Sequence, residues 1–187
     1  MRRARVPTLW LFTDERLGGR KPGDPLWAAV QALPRGSGIV FRHYGWAPPE
    51  RQTLLEKLEA VARRRHLILI GSGIRGASGG RHLSGAARSR HRPVRGLLTA
   101  AAHDRRELLQ GFRLGADLIF LSPVFPTRSH PGAPALGPVR FGLAARAGPG
   151  PVMALGGMNK ARARHLAALG AAGFAGIDCW VTTAAPR

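Results

Sequence analysis

Eight short apolar runs, each closed by glycine or a polar residue, limit what this chain can fold into. They are LWLFTD (9–14), GIVFRHY (38–44), HLILIGS (66–72), GRHLSG (80–85), VRGLLTAAA (94–102), LIFLSPVF (118–125), PVMALGG (151–157) and GFAGIDCW (173–180). Runs of this length between turn residues read as strands. Helix signals lie between several of them. PPERQTLLEKLEAVARRR (48–65) opens on prolines and an acid and closes on arginines, which suits both ends of a helix dipole. Asp104 precedes RRELLQGFRLG as an N-cap, with Glu107 at the capping-box spacing and Gly115 as the stop. Asn159 caps KARARHLAALG, which ends on Gly170, and weaker helical patterns cover 25–33 and part of 138–147. Eight strands alternating with helices predict an α/β fold with a parallel sheet, and eight units favour closure into a (β/α)8 TIM barrel. The expected organisation is one compact barrel domain over 1–187, with shortened helices around 73–93, where GIRGASGG and AARSRHR leave little room. A Rossmann-type open sheet is the runner-up, and no dinucleotide glycine fingerprint follows the first strand.

Composition narrows the function classes. With 44% hydrophobic and 21% charged residues the chain is globular in character. The start, MRRARVPTLWLFTDE, has a basic head, but its apolar run contains Pro7 and meets Asp14 and Glu15 without a small-residue cleavage site. It therefore reads as a first strand, with a cytoplasmic location and no membrane partner expected. One cysteine, Cys179, excludes an internal disulfide and argues against a cysteine-based metal site; as a residue of the last strand it reads as buried rather than nucleophilic. The net charge of +19 comes almost wholly from arginine, since Lys21, Lys57 and Lys160 are the only lysines. No acidic residue lies between Glu59 and Asp104. An anionic partner, nucleic acid or phosphorylated metabolite, would suit that charge; so would a bias of composition toward arginine, alanine, glycine and proline. The Arg/Gly/Ser-rich stretch 71–96 carries the nucleic-acid alternative, against which stands its lack of aromatics for base stacking.

In a barrel of this type chemistry sits at the C-terminal ends of the strands. The strand exits hold Arg42, His43 and Tyr44; Ser72; His82; His103; Ser122 with Thr127, Ser129 and His130; Gly156 and Gly157; and Asp178 and Cys179. Thr127–His130 could serve a phosphate or be an ordinary polar loop. At ALGGMNKARARH (154–165) a strand ends in two glycines before a helix, where close backbone approach and free N–H groups favour an anion. A glycine pair also serves a plain left-handed turn. Its place after the seventh strand is where barrels commonly hold phosphate.

GADLIFLSPVFPTRSHPGAPALG (115–137) and ALGGMNKARARHLAALGAAGFAGI (154–177) resemble the signature segments of the thiamine-phosphate synthase and thiazole tautomerase family. LFTD in the first strand, Arg42 in the second, GRHLSG in the fourth and AHDRRE before the fifth helix extend the resemblance. It implies a (β/α)8 barrel of thiamine biosynthesis whose partner is a small phosphorylated heterocycle. Thr127, Ser129 and His130 would then meet the pyrophosphate of the pyrimidine substrate. Gly156, Gly157 and the backbone around Asp178 and Cys179 would hold the thiazole phosphate, and His82 and His103 would line the cavity with Arg42, Tyr44, Ser72 and Ser122. A homodimer is compatible with this reading.

The departures from the family pattern matter equally. The Mg²⁺ cofactor that the resemblance implies needs carboxylate oxygens, yet the Asn-Asp pair expected after the third strand is Gly71-Ser72 and the aspartate past the fourth is replaced at Ala86-Ala87. His130 and Tyr44 stand where lysines are expected. Two enzymatic reactions remain open. A transferase joining thiazole phosphate to the pyrimidine pyrophosphate would have to stabilise the leaving group with cations, and Arg75, Arg81, Arg88 and Arg90 are candidates. A tautomerase needs a phosphate anchor and an imidazole, for which His103 is the candidate with His82 or His130 as partner. A barrel that binds the ligand without turnover is the third reading.

Overall fold

The computed structural model describes residues 6–84, 95–128, 132 and 134–181. Eight parallel strands close into a barrel in chain order: β1 (Leu9–Phe12), β2 (Gly38–Phe41), β3 (Ile68–Ser72), β4 (Gly80–Leu83), β5 (Leu97–Ala102), β6 (Leu118–Leu121), β7 (Val152–Ala154) and β8 (Gly173–Gly176). β8 returns to β1 with Leu9 opposite Phe174 and Trp10 opposite Ala175, so the sheet has no edge. The α-helices among the described residues are α1 (Pro25–Ala32), α2 (Pro48–Arg65), α3 (Arg105–Arg113), α4 (Gly137–Ala147) and α5 (Lys160–Ala168). β3 reaches β4 without a helix, as the short connection implies; residues 85–94 lie outside the described part. None of the described helices is long and apolar enough to cross a membrane.

Most apolar runs outlast their strands at the C-terminal end, because the final residues leave the ladder to build the rim above it. Strand alternation then decides which side chains enter the barrel. Trp10, Phe12 and Phe120 point inward and meet edge to face, with centroids 5.3 Å (Trp10–Phe120) and 4.7 Å (Phe12–Phe120) apart. Burying one such side chain stabilises the fold by about 1.5–3 kcal/mol. The indole N–H of Trp180 donates to the carbonyl of Trp10 at 2.9 Å, tying the 3-10 turn Asp178–Trp180 onto β1 and setting the position of the eighth exit.

Local capping also serves the rim. The Asp104 carboxylate accepts the Glu107 amide at 2.7 Å, and the Glu107 carboxylate accepts the His103 amide at 2.8 Å. The start of α3 therefore holds the backbone of the β5 exit residue. Asn159 accepts the Arg162 amide at 2.9 Å and starts α5 directly beyond the glycine pair. Several arginines have structural roles. Arg65 donates to the carbonyls of Val30 (2.8 Å) and Leu33 (3.0 Å), closing the end of α1. Arg51 on α2 donates to the carbonyls of Arg42 (2.7 Å), Ser72 (2.8 Å) and Gly73 (3.1 Å), locking the exits of β2 and β3 together.

Candidate functional site

The C-terminal mouth of the barrel opens into a cavity of about 570 Å³. Ten of the residues expected from the sequence line it: Arg42, Tyr44, His82, His103, Ser122, Thr127, Gly156, Gly157, Asp178 and Cys179. Ser72, also expected there, does not line it: it is fully buried, with its hydroxyl hydrogen-bonded to that of Tyr44. Ser129 and His130 lie outside the described residues. Phe12, Arg128, Met158, Asn159 and Arg162 also line the cavity and were not singled out for it from the sequence.

The histidines divide by environment. His43 has left-handed backbone (φ 41) and is completely buried. Its Nε2 lies 2.8 Å from the Gly18 carbonyl, which can only accept, so Nε2 carries the proton in the neutral ring. Nδ1 then accepts from the Thr13 hydroxyl at 2.9 Å, and that hydroxyl in turn accepts the Arg42 amide at 2.9 Å. Each group in this chain has a partner, and His43 stays out of the cavity; it ties the β1 and β2 exits together. His82 forms part of the floor, 3% exposed, edge-on to Phe12 and Phe120, with Nδ1 2.8 Å from the Thr99 hydroxyl. Burial, assisted by the nearby Arg42 charge, pulls its pKa down to about 3. Such a ring is neutral near pH 7, so His82 offers the cavity a neutral hydrogen-bonding surface.

His103 is exposed to the cavity. Its Nδ1 lies 2.8 Å from the Ser122 carbonyl and must donate there, which leaves the lone pair of the neutral ring on Nε2. The β5 exit, the capping carboxylate of Glu107 and the β6 exit together orient one basic nitrogen. Cys179 is not a buried residue of the last strand, as the sequence suggested, but half-buried in the turn after β8, and burial pushes its thiol up to about 12. Its sulfur packs where Gly176 has no Cβ, so the residue fills space rather than presenting a thiolate.

At the seventh exit Gly156 and Gly157 have φ 91 and 62. A Cβ on Gly156 would fall 2.8 Å from Pro123, and one on Gly157 would fall 2.5 Å from the Pro126 carbonyl oxygen. The Val124 and Phe125 amides donate to the carbonyls of Leu155 (2.9 Å) and Gly156 (3.2 Å), zipping the β6 and β7 exits together. The glycines are therefore required by this packing whether or not a ligand binds. The first turn of α5 adds something else. Lys160 and Arg162 sit there with no acid, although a helix start disfavours cations. Arg162 donates to the Gly157 carbonyl and stacks on Phe125 at 4.4 Å. Cations at a positive helix end, beside first-turn N–H groups with no partner inside the helix, make an environment that an anion would relieve. That misplaced charge was the sequence signal for Arg162.

Across the mouth runs an alternating series of charges. Asp14 pairs with Arg42 (3.4 Å) and Arg16 (2.7 Å), and Asp178 pairs with Arg16 (4.0 Å) and Arg128 (3.1 Å). Burial alone would raise the Asp14 pKa, but hydrogen bonds from Arg16 and the charges of Arg16 and Arg42 hold it below the usual carboxylate range. Desolvation moves Arg42 downward in turn.

The Mg²⁺ that the resemblance implies does not fit this donor set. A Cβ on Gly71 would lie 2.9 Å from the Ile74 carbonyl oxygen, so the turn leaves no space for a ligating side chain there. The Ser72 hydroxyl is committed to Tyr44, and Asp14 and Asp178 are each paired with arginine. No group of three His, Cys, Asp or Glu side chains converges among the described residues, whereas a hard cation requires several free oxygens. Nor do Arg75 and Arg81 supply the missing charge. Both are exposed, and Arg81 points away from the barrel because His82 beside it points in. Arg88 and Arg90 lie outside the described residues. Among the described residues, the cations lining the cavity are Arg42, Arg128 and Arg162.

Comparison with known proteins agrees with this architecture. The thiamine-phosphate synthase of Chloroflexus aurantiacus is 35% identical over an alignment of 101 residues that covers 49% of this chain and 44% of that protein. The chain thus aligns with less than half the length of that relative. The thiamine phosphate pyrophosphorylase from Pyrococcus furiosus superposes with a TM-score of 0.75 at 21% identity, covering 92% of this chain and 86% of that one. The corresponding protein from Bacteroides thetaiotaomicron gives 0.61 at 17% identity, over 92% and 83%. At such identities the superpositions speak for the shared barrel. The sequence profile of one family, TMP-TENI, thiamine monophosphate synthase, matches residues 78–179, more than half of the chain and all of the rim from β4 to Cys179. By that match, and with the barrel that accompanies it, the chain belongs to the thiamine monophosphate synthase family.

Proposed function

We propose that the protein binds a small phosphorylated heterocycle of the thiazole phosphate type at the barrel mouth and moves a proton on it, as a thiazole tautomerase does. The observation that carries this reading is the fixed tautomer of His103: its Nδ1–H is held by the Ser122 carbonyl, so Nε2 is free to take a proton. The phosphate would lie on the first turn of α5 and the Gly156–Gly157 backbone, with Arg162 and the Thr127 hydroxyl beside it. Nε2 then removes a proton from one ring position of the ligand and returns it to another, so the reaction needs no co-reactant. While the ring is charged, the hydrogen bond to Ser122 becomes charge-assisted and stronger. The neutral His82 below supports the ring without competing for the proton.

The test is deuterium incorporation into thiazole carboxylate phosphate in D₂O, followed by NMR. His103→Asn should slow exchange by about 10²–10⁴-fold, the usual contribution of a positioned acid/base group, while ligand affinity changes only a few-fold. Exchange within tenfold of the unaltered protein would reject the assignment. A second reading, transfer of thiazole phosphate onto the pyrimidine pyrophosphate, is favoured by family membership and by Arg42 and Arg128 facing the cavity. Pyrophosphate release on mixing both substrates, measured with Mg²⁺ and with EDTA, selects that reading. Binding without exchange or release selects a ligand-binding barrel.

A further inference from the structure

A carboxylate in a cavity meant for a phosphate demands an explanation. Asp178 lines the same cavity as the glycine pair, and its charge opposes any dianion placed there. We propose that Asp178 is a built-in competitor for the anion site: it occupies Arg128 in the free protein and yields that arginine to the anionic group of the ligand, so that binding is a metal-free ion exchange. This rests on the phosphate-binding reading above and adds to it how the site is kept ready and what sets its affinity.

The geometry suits exchange. Arg128 comes from the loop after β6 and Asp178 from the turn after β8, so their pair spans the mouth. Both contacts fall on one oxygen, with Oδ2 accepting from Nε at 3.3 Å and lying 3.1 Å from Nη2. A phosphate can instead take the two N–H groups on separate oxygens, which is the stronger arrangement. The Arg128 side chain is 74% exposed and that of Asp178 is 42% exposed. An exposed pair of this kind is worth at most about a fivefold factor in an equilibrium constant, so displacing it costs little. The displaced carboxylate also keeps a partner, because Oδ1 already faces Arg16 at 4.0 Å. Arg16 is anchored on Asp14 and remains in place when Asp178 turns toward it. A metal-carrying carboxylate would behave in the opposite way, since its removal would weaken anion binding.

Calorimetric titration with inorganic phosphate, in EDTA at low salt, tests this on the full chain, with thermal melts confirming that each variant is folded. Asp178→Asn should bind phosphate tighter, by up to about 5-fold from release of the pair alone, and Arg128→Gln should bind it more weakly. In the double variant the gain from Asp178→Asn should vanish, because no arginine remains to be released. Adding Mg²⁺ should leave the affinity of the unaltered protein unchanged. Unchanged or weaker binding by Asp178→Asn overturns the proposal while the functional reading stands, as does an equal gain in the Arg128→Gln background, which would be a general charge effect. Binding that requires Mg²⁺ overturns it as well. Failure of every variant to bind phosphate overturns both the proposal and the functional reading.

Discussion

Acid should weaken this barrel through His82, by an amount that follows from its burial. The ring is 3% exposed, lies between Phe12 and Phe120, and has a pKa near 3. In the unfolded chain the same group titrates near 6.5. Below 6.5 the unfolded chain therefore binds a proton that the folded chain refuses. The stabilising effect of the neutral ring is complete above that value and is lost progressively as pH falls toward 3. At pH 5 the gap is about 1.5 pH units, and at 1.36 kcal/mol per unit the loss is about 2 kcal/mol. With a urea m-value of about 2 kcal/mol/M, that lowers the unfolding midpoint by about 1 M. The measurement is urea unfolding at pH 7.5 and pH 5.0 for the unaltered protein and for His82→Asn, which has no proton to refuse. Burial also lowers the pKa of His43, but His43 is present in both proteins and cancels. The depressed carboxylates of Asp14 and Asp24 keep their stabilising effect above their usual range and lose it only at lower pH. The midpoint of the unaltered protein should fall by about 1 M more than that of the variant. An equal fall in both would refute the buried neutral histidine, and with it the floor assigned to the cavity.

Further expectations concern the rim. Gly157→Ala should cost about 1–2 kcal/mol from its left-handed backbone alone, with more from the approach to Pro126, and should lower the Tm by roughly 2–8 °C for a chain of this size; an unchanged Tm would contradict the packing described for the β6 and β7 exits. Cys179, with its thiol pushed up to about 12, should resist an aromatic disulfide reagent at pH 8 in the native protein and react fully in urea. Fast reaction without denaturant would show a thiolate that the raised thiol pKa does not allow.

Much of the scaffold is legible in the amino-acid sequence. The eight apolar runs each contain one of the eight strands, and the helices from Pro48 to Arg65, after Asp104 and after Asn159 begin where proline and capping side chains place them. These are local effects: a carboxylate or amide cap bonds an amide two or three residues away, and a short apolar run needs only burial. The candidate rim was legible for a related reason. Parallel strands all exit on one side, so naming the residues after each strand names the ring around the mouth, and Arg42, His103, Thr127 and Asp178 fall in it.

What the sequence by itself determined is therefore the order of the elements, their closure and the set of side chains offered at one end. Only the tertiary structure decided what those side chains are. His82 and His103 are both histidines at strand ends. One is neutral because aromatic rings exclude water from it, and the other is oriented because the Ser122 carbonyl, nineteen residues away, takes one of its nitrogens. Arg81 and Arg128 carry the same charge, yet strand alternation sends one outward while the loop after β6 carries the other over the cavity to Asp178. Protonation, pairing and solvent exposure depend on contacts between residues distant in the chain and on the dielectric that the closed barrel creates around them. No local pattern of residues encodes those quantities.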